Sequence, residues 1–86
     1  MQSKVKATRL SDLSDGSTAV IAAVDESVEH LMELGFVPGV HITPTYSGPG
    51  GEPRVYELEG TLVALRRSAA HHISVSLTGD DTQEGE

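Results

Sequence analysis

The sequence contains no cysteine and few aromatic residues. The absence of cysteine excludes disulfide cross-links, thiolate metal sites and cysteine nucleophiles. It is also consistent with a reducing compartment. The aromatic residues are Phe36, Tyr46 and Tyr56 alone. A hydrophobic core in this chain must therefore consist mainly of Leu, Ile, Val and Ala side chains.

Long apolar runs are absent as well. No stretch approaches the roughly 20 apolar residues that a membrane-spanning helix needs. The N-terminal segment MQSKVKATRL has no apolar run long enough for a secretory signal. We therefore predict a protein that does not insert into a membrane, and we expect a cytoplasmic location.

Basic residues are scarce relative to acidic ones. The chain has 6 Lys and Arg against 13 Asp and Glu, a formal net charge of −7. Nucleic-acid binding requires a basic face that neutralises phosphates, so this balance argues against a nucleic-acid partner. The C-terminal residues are acidic and have no apolar side chain to bury. We predict that residues 78–86 are flexible, and we expect the same of residues 1–8.

The rest of the chain, residues 9–77, predicts one small domain made mostly of β-strands. Five short segments have the length and composition of strands, and most of them alternate between apolar and polar residues. These segments are residues 18–24, 40–46, 54–59, 62–66 and 73–77. Short strands joined by tight turns are typical of a small barrel, which leaves few exposed strand edges. Short helical turns are predicted before the first strand and before the last.

One longer α-helix is predicted between the first two strands, over residues 25–34. An apolar stripe at helical spacing supports it. The stripe consists of Val28, Leu31, Met32 and Leu34. Gly35 stands where helices often end in a left-handed residue, and Pro38 prevents the helix from resuming. Phe36 is expected to pack inward.

Pro44 predicts a distortion in the second strand. Alternation places Val40, Ile42 and Tyr46 on the core side of this strand, and Pro44 falls in the same row. Proline cannot donate a hydrogen bond to a strand ladder. The strand must therefore lie at a sheet edge or bend near Pro44. The Gly- and Pro-rich residues that follow, 47–53, predict a hairpin loop.

Four segments of the chain, in order and at matching spacing, resemble the ferrous iron transport protein A (FeoA) family. The resemblance covers about residues 9 to 77. The residues that carry it are Leu10, Leu13 and Gly16; Leu31, Glu33, Leu34, Gly35, Phe36, Pro38 and Gly39; Pro49, Gly51 and Pro53; and Gly60, Ala64, Leu65, Arg66, Ala70, Ile73 and Val75.

The resemblance implies a fold and a function. The fold is a five-stranded SH3-like barrel with one α-helix inserted between strands 1 and 2. The function is that of a non-enzymatic accessory protein of ferrous iron uptake, which binds the cytosolic part of the FeoB-type membrane Fe(II) transporter. The alternative is a metal-sensing or metal-binding module that resembles the C-terminal domain of metal-dependent repressors. Only about nine residues precede Leu10, so no DNA-binding segment is expected before this domain.

Partner contacts are predicted on the inserted helix and the adjacent hairpin, where glycine, proline and charge exceed what packing needs. The candidate residues are Glu29, His30 and Glu33 on the helix and Pro49, Glu52 and Arg54 on the hairpin. Arg66 and Arg67 form a basic pair at the end of a strand. This pair is either a solvated edge that balances nearby acids or a contact for an acidic partner, since guanidinium groups match carboxylates.

Histidines are the candidate metal ligands. His71 and His72 are adjacent, so their side chains diverge within a regular helix or strand. Together with His41 they are candidates for a low-affinity iron or zinc site, because imidazole suits zinc. No ligand set has metal-site spacing, so surface histidines are the simpler interpretation and no required cofactor is expected. No serine is accompanied by a histidine and an acid in a recognisable catalytic motif, so we expect no enzymatic activity.

Overall fold

Six strands form one antiparallel sheet in the computed structural model, which describes residues 7–77. The strands are β1 (Ala7–Arg9), β2 (Ala19–Val24), β3 (His41–Ser47), β4 (Arg54–Leu58), β5 (Thr61–Leu65) and β6 (Ile73–Leu77). Their order across the sheet is β1-β6-β2-β3-β4-β5. The predicted mostly β fold is confirmed, and all five predicted strands are present.

The first strand, β1, is an addition to the predicted five. It pairs with β6, and Thr8 lies opposite Val75. Three residues are too few to show a strand pattern, so only the pairing with β6 identifies them. Ala7 and Thr8 therefore belong to the sheet, although the prediction placed them in a flexible segment. The rest of that segment, together with the predicted flexible residues 78–86, lies outside the described residues.

The inserted helix, Glu26–Leu34, is a 3₁₀ helix and not the predicted α-helix. Val28 has φ −125° and ψ 24°, which divides it into two shorter segments. Side chains three residues apart overlie one another in a 3₁₀ helix, and Val28 and Leu31 are the buried pair. Met32 and Leu34 are 39% and 52% exposed, so they do not complete the predicted stripe.

The helix ends at Gly35, as the sequence predicts. Gly35 has φ 110°, a left-handed conformation that glycine adopts without a Cβ penalty. Its N–H donates to the Met32 carbonyl at 3.1 Å, and the Phe36 N–H donates to the Leu31 carbonyl at 3.3 Å. Phe36 is fully buried, and its ring meets Tyr56 edge-on at 6.5 Å between centroids.

Strand β3 contains the distortion that Pro44 predicts. Pro44 lies opposite Tyr56, and Tyr46 lies opposite Val55, so Thr45 is an extra residue that shifts the register. The shift turns Tyr46 outward, where it is 58% exposed. The prediction that Tyr46 faces the core is therefore wrong, because alternation cannot cross a bulge.

The core is formed by side chains from strands β2–β6 and from the short helices and loops. Its buried apolar side chains are Leu10, Leu13, Ala19, Ile21, Val28, Leu31, Phe36, Ile42, Tyr56, Leu58, Leu65, Ala70, Ile73 and Val75. Three shorter helical pieces complete the described chain: 3₁₀ turns at Leu10–Asp12 and Pro49–Gly51, and the α-helix α1 at Arg67–Ala70. α1 packs against the Leu10–Asp12 turn. Across residues 7–77, no helix has the length and apolar character needed to cross a membrane.

Candidate functional site

A polar pocket of about 230 Å³ lies where the Leu10–Asp12 turn, the β3–β4 hairpin and the start of α1 meet. We call it the hairpin pocket. Its lining residues are Ser11, Leu13, Asp15, Ser47, Gly51, Arg54, Tyr56 and Arg67. Three separate parts of the sequence contribute to it, so no local motif could have indicated it.

Arg54 is the charged group of the hairpin pocket that makes the most hydrogen bonds. Its Nε and Nη2 atoms donate to Asp15 Oδ1 at 3.1 Å and 2.6 Å. Nη2 also donates to the Leu13 carbonyl at 2.5 Å. The Arg54 side chain is only 16% exposed. Arg54 therefore joins strand β4 to the loop that follows the first 3₁₀ turn.

The pocket keeps Arg54 charged and Tyr56 protonated. Burial acts to lower the pKa of Arg54, but its hydrogen bond to Asp15 and its interaction with Tyr56 raise the pKa on balance. Burial raises the pKa of the Tyr56 hydroxyl, while the guanidinium groups of Arg54 and Arg67 oppose that change. At neutral pH the Tyr56 hydroxyl thus remains a hydrogen-bond donor.

Glu52 connects the hairpin to α1. Its Oε2 accepts the backbone N–H of Arg67 at 2.9 Å, and its Oε1 lies 3.7 Å from Arg66 Nη1. The first N–H groups of a helix have no partner within the helix, so this carboxylate satisfies one of them. The Arg67 guanidinium makes no hydrogen bond or ion pair with any residue in 7–77. It lies over Gly51, with Nη2 3.8 Å from where a Cβ of that residue would be.

The six predicted contact residues fall into two groups. Glu29, His30 and Glu33 on the 3₁₀ helix and Pro49 on the hairpin are exposed. Glu52 and Arg54 are engaged within the molecule, as described above. The 3₁₀ helix packs against β2, while the hairpin is bonded to the residue 13–15 loop and to α1. No hydrogen bond or ion pair between described residues joins the 3₁₀ helix to the hairpin.

The candidate histidines do not assemble into a metal centre. His41 Nδ1 lies 3.6 Å from Glu59 Oε2, whereas His72 Nδ1 lies 3.9 Å from Asp25 Oδ2. The His71 and His72 rings are 5.8 Å apart at an interplanar angle of 82°. Within residues 7–77, no group of three or more histidine, aspartate or glutamate side chains is arranged to hold a metal ion.

A family model described as the FeoA domain matches residues 8–77, nearly the whole described chain. The chain belongs to the FeoA family. FeoA proteins are linked to ferrous iron transport, and the SH3-like fold expected for this FeoA domain is confirmed. Among curated proteins, none matches the sequence significantly.

Solved structures agree with this assignment. Iron(II) transport protein A from Clostridium thermocellum is 33% identical, with a TM-score of 0.76 over 84% of this chain and 46% of that one. The FeoA domain thus spans less than half of that Clostridium chain. Stenotrophomonas maltophilia FeoA, complexed with zinc and described as a prokaryotic SH3 domain protein, is 35% identical, with a TM-score of 0.70 over 79% of this chain and 88% of that one. T. acidophilum IdeR, at 20% identity and a TM-score of 0.71 over 91% of this chain and 37% of that one, shares the fold alone.

Proposed function

We propose that this FeoA domain is a non-enzymatic, cytoplasmic accessory protein of ferrous iron uptake that binds the cytosolic part of the FeoB-type Fe(II) transporter. The observation that carries the proposal is the family match over residues 8–77. The names of two relatives support it. One is an iron(II) transport protein, and the other is described as a candidate activating factor for ferrous iron transport.

The 3₁₀ helix is the better supported part of the proposed contact surface. Glu29, His30 and Glu33 are exposed, and none of their side chains makes a hydrogen bond or ion pair with another described residue. The fold therefore does not use these side chains. Met32 and Leu34 on the same helix are exposed as well. Apolar side chains bordered by charged ones are the usual composition of a protein–protein interface.

The hairpin part of the surface has a different character. Pro49 is exposed at the hairpin and available for contact. Glu52 and Arg54 can contact a partner only through atoms that their internal bonds leave open. We therefore propose that these two residues hold the hairpin in shape for the partner, and that Pro49 contacts the partner directly.

The proposal is tested by calorimetry between this chain and the cytosolic domain of the transporter. Changing Glu29, His30 and Glu33 together to alanine should weaken binding at least tenfold, because several exposed groups of one patch are removed. Pro49→Ala should weaken it less. Glu57→Ala is the matched control, since Glu57 is exposed on β4 and its side chain makes no hydrogen bond or ion pair with a described residue. Wild-type affinity in both the triple variant and Pro49→Ala would refute this contact surface, and no binding by the wild type would refute the function.

A second candidate, a metal-binding module, is favoured by the zinc bound to the Stenotrophomonas maltophilia relative. The residues to test are His72 beside Asp25, with His71 next to it, and His41 beside Glu59. Anaerobic calorimetry with Fe(II) and with Zn(II) separates the candidates. Saturable binding that His72→Ala or His41→Ala abolishes would support the metal-binding module, and the absence of saturable binding would count against it.

A further inference from the structure

The hairpin pocket is positive in a chain that is strongly negative. Two guanidinium groups, Arg54 and Arg67, and one carboxylate, Asp15, line it, so its wall carries one net positive charge. The whole chain carries a formal charge of −7. Asp15 is already bonded to Arg54. The positive charge that remains without a partner is therefore that of Arg67.

The two arginines of the basic pair are not equivalent. The Arg66 guanidinium lies 3.7 Å from Glu52 and is 76% exposed. The Arg67 guanidinium makes no hydrogen bond or ion pair with residues 7–77 and lies over Gly51 at the pocket wall. Gly51 has φ 92°, a backbone conformation that disfavours other residues, and a Cβ there would be in van der Waals contact with Arg67 Nη2.

Neutral hydrogen-bond donors complete the site. Tyr56 is almost fully buried, ring and hydroxyl together, and it lines the pocket with the more exposed Ser11 and Ser47, which also carry hydroxyl groups. Each hydroxyl can donate one hydrogen bond. A guanidinium together with hydroxyl donors forms a set that favours an anion with several acceptor oxygens.

We propose that the hairpin pocket binds a carboxylate group, with Arg67 as its charged partner and the Tyr56 hydroxyl as a second donor. The planar guanidinium fork matches the two oxygens of a carboxylate. The single net positive charge of the wall balances a carboxylate, while Asp15 in the same wall repels the second charge of a phosphate. The volume of about 230 Å³ admits the end of one side chain or of one peptide.

The inference concerns the pocket and does not rest on the transporter as partner. Its test uses two small probes: N-acetylglycine, which presents a terminal carboxylate, and N-acetylglutamate amide, which presents a side-chain carboxylate. Each probe is titrated into ¹⁵N-labelled full-length protein, and the Gly51 amide and the Arg67 Nε–H signals are followed by NMR. We expect saturable shifts at both positions, and the tighter probe identifies the source of the carboxylate. Inorganic phosphate and sodium chloride at equal ionic strength are the competing anions.

Matched variants distinguish the pocket from general charge attraction. Arg67→Gln should weaken carboxylate binding at least tenfold, whereas Arg66→Gln, which removes the same charge from the neighbouring residue, should leave it unchanged. Tyr56→Phe keeps the ring in the core and should weaken binding severalfold. Equal affinity in Arg67→Gln and wild type, shifts that do not saturate, or saturation by phosphate alone would overturn the proposal.

Discussion

Replacing Arg54 by methionine removes the guanidinium that joins β4 to the loop at residues 13–15. Methionine keeps an apolar stem of similar length, so the packing of the side chain is largely retained. The Leu13 carbonyl then loses a charged donor, and the Tyr56 ring loses a cation that lies 5.6 Å from its centroid. Asp15 loses its ion-pair partner, but it is 57% exposed and can be solvated by water.

The expected magnitude follows from these three losses. A hydrogen bond to a charged group contributes about 1.5–3 kcal/mol, and the cation–π contact, in which both groups are largely shielded from solvent, adds about 0.5–2 kcal/mol. The pair with Asp15 contributes at most about 1 kcal/mol at this exposure. We expect Arg54→Met to lower the free energy of unfolding by at least about 2 kcal/mol, and Asp15→Asn to lower it by less than about 1 kcal/mol. The total free energy of unfolding of a chain of this size is roughly 4–13 kcal/mol.

Urea unfolding followed by far-UV circular dichroism measures both variants against the wild type. An unchanged slope of the unfolding free energy against urea concentration would show that only stability has changed. The difference in unfolding free energy between the two variants is the informative quantity, because it separates the bond to the Leu13 carbonyl from the ion pair. If Asp15→Asn lowers the free energy of unfolding as much as Arg54→Met, or if Arg54→Met lowers it by less than about 0.5 kcal/mol, Arg54 does not stabilise the fold through the Leu13 carbonyl.

Three further predictions concern the inserted 3₁₀ helix and its ends. Leu31→Ala removes a buried side chain and should lower the free energy of unfolding by about 2–5 kcal/mol, whereas Leu34→Ala, at 52% exposure, should change it by no more than about 0.5 kcal/mol. Equal losses of unfolding free energy in urea would contradict the assigned burial. Gly35→Ala adds a Cβ to a residue with φ 110°, 3.4 Å from Leu58 Cδ1. It should lower the free energy of unfolding by at least about 1–2 kcal/mol, seen as a lower Tm. The Ser27 backbone N–H, which donates to Asp25, lowers the pKa of that carboxyl. Because the pKa of Asp25 is lower in the folded state, the stabilisation by Asp25 should be complete above the unfolded pKa of about 3.9 and disappear as pH falls through the folded pKa. An NMR titration of the folded protein that gave an Asp25 pKa at or above the unfolded pKa would refute this.

Several features were predictable because they depend on only a few consecutive residues. Gly35 ends the helix because its left-handed backbone disfavours other residues, and Pro38 cannot continue a helix. Pro44 distorts β3 because it lacks an N–H group. The five predicted strands follow from short apolar or alternating segments between turn residues.

Contacts between distant residues account for what the prediction missed. β1 is a strand only because β6 pairs with it, and Tyr46 is exposed because the Thr45 bulge shifts the register against β4. The inserted helix is 3₁₀ in the structure, with only Val28 and Leu31 buried against the core. Their spacing of three residues does not separate a 3₁₀ helix from an α-helix in the sequence.

The family, the mostly β fold and the exposed acidic face of the inserted helix can be inferred from the amino-acid sequence, because patterns of composition and turn residues are local. The roles of Arg54 as a structural cross-link and of Arg67 as a pocket cation emerge from the folded chain alone. Neither role can be derived from neighbours in sequence, since the partners of Arg54 lie about forty positions away along the chain. The hairpin pocket exists only because the fold brings a turn, a hairpin and a helix start together.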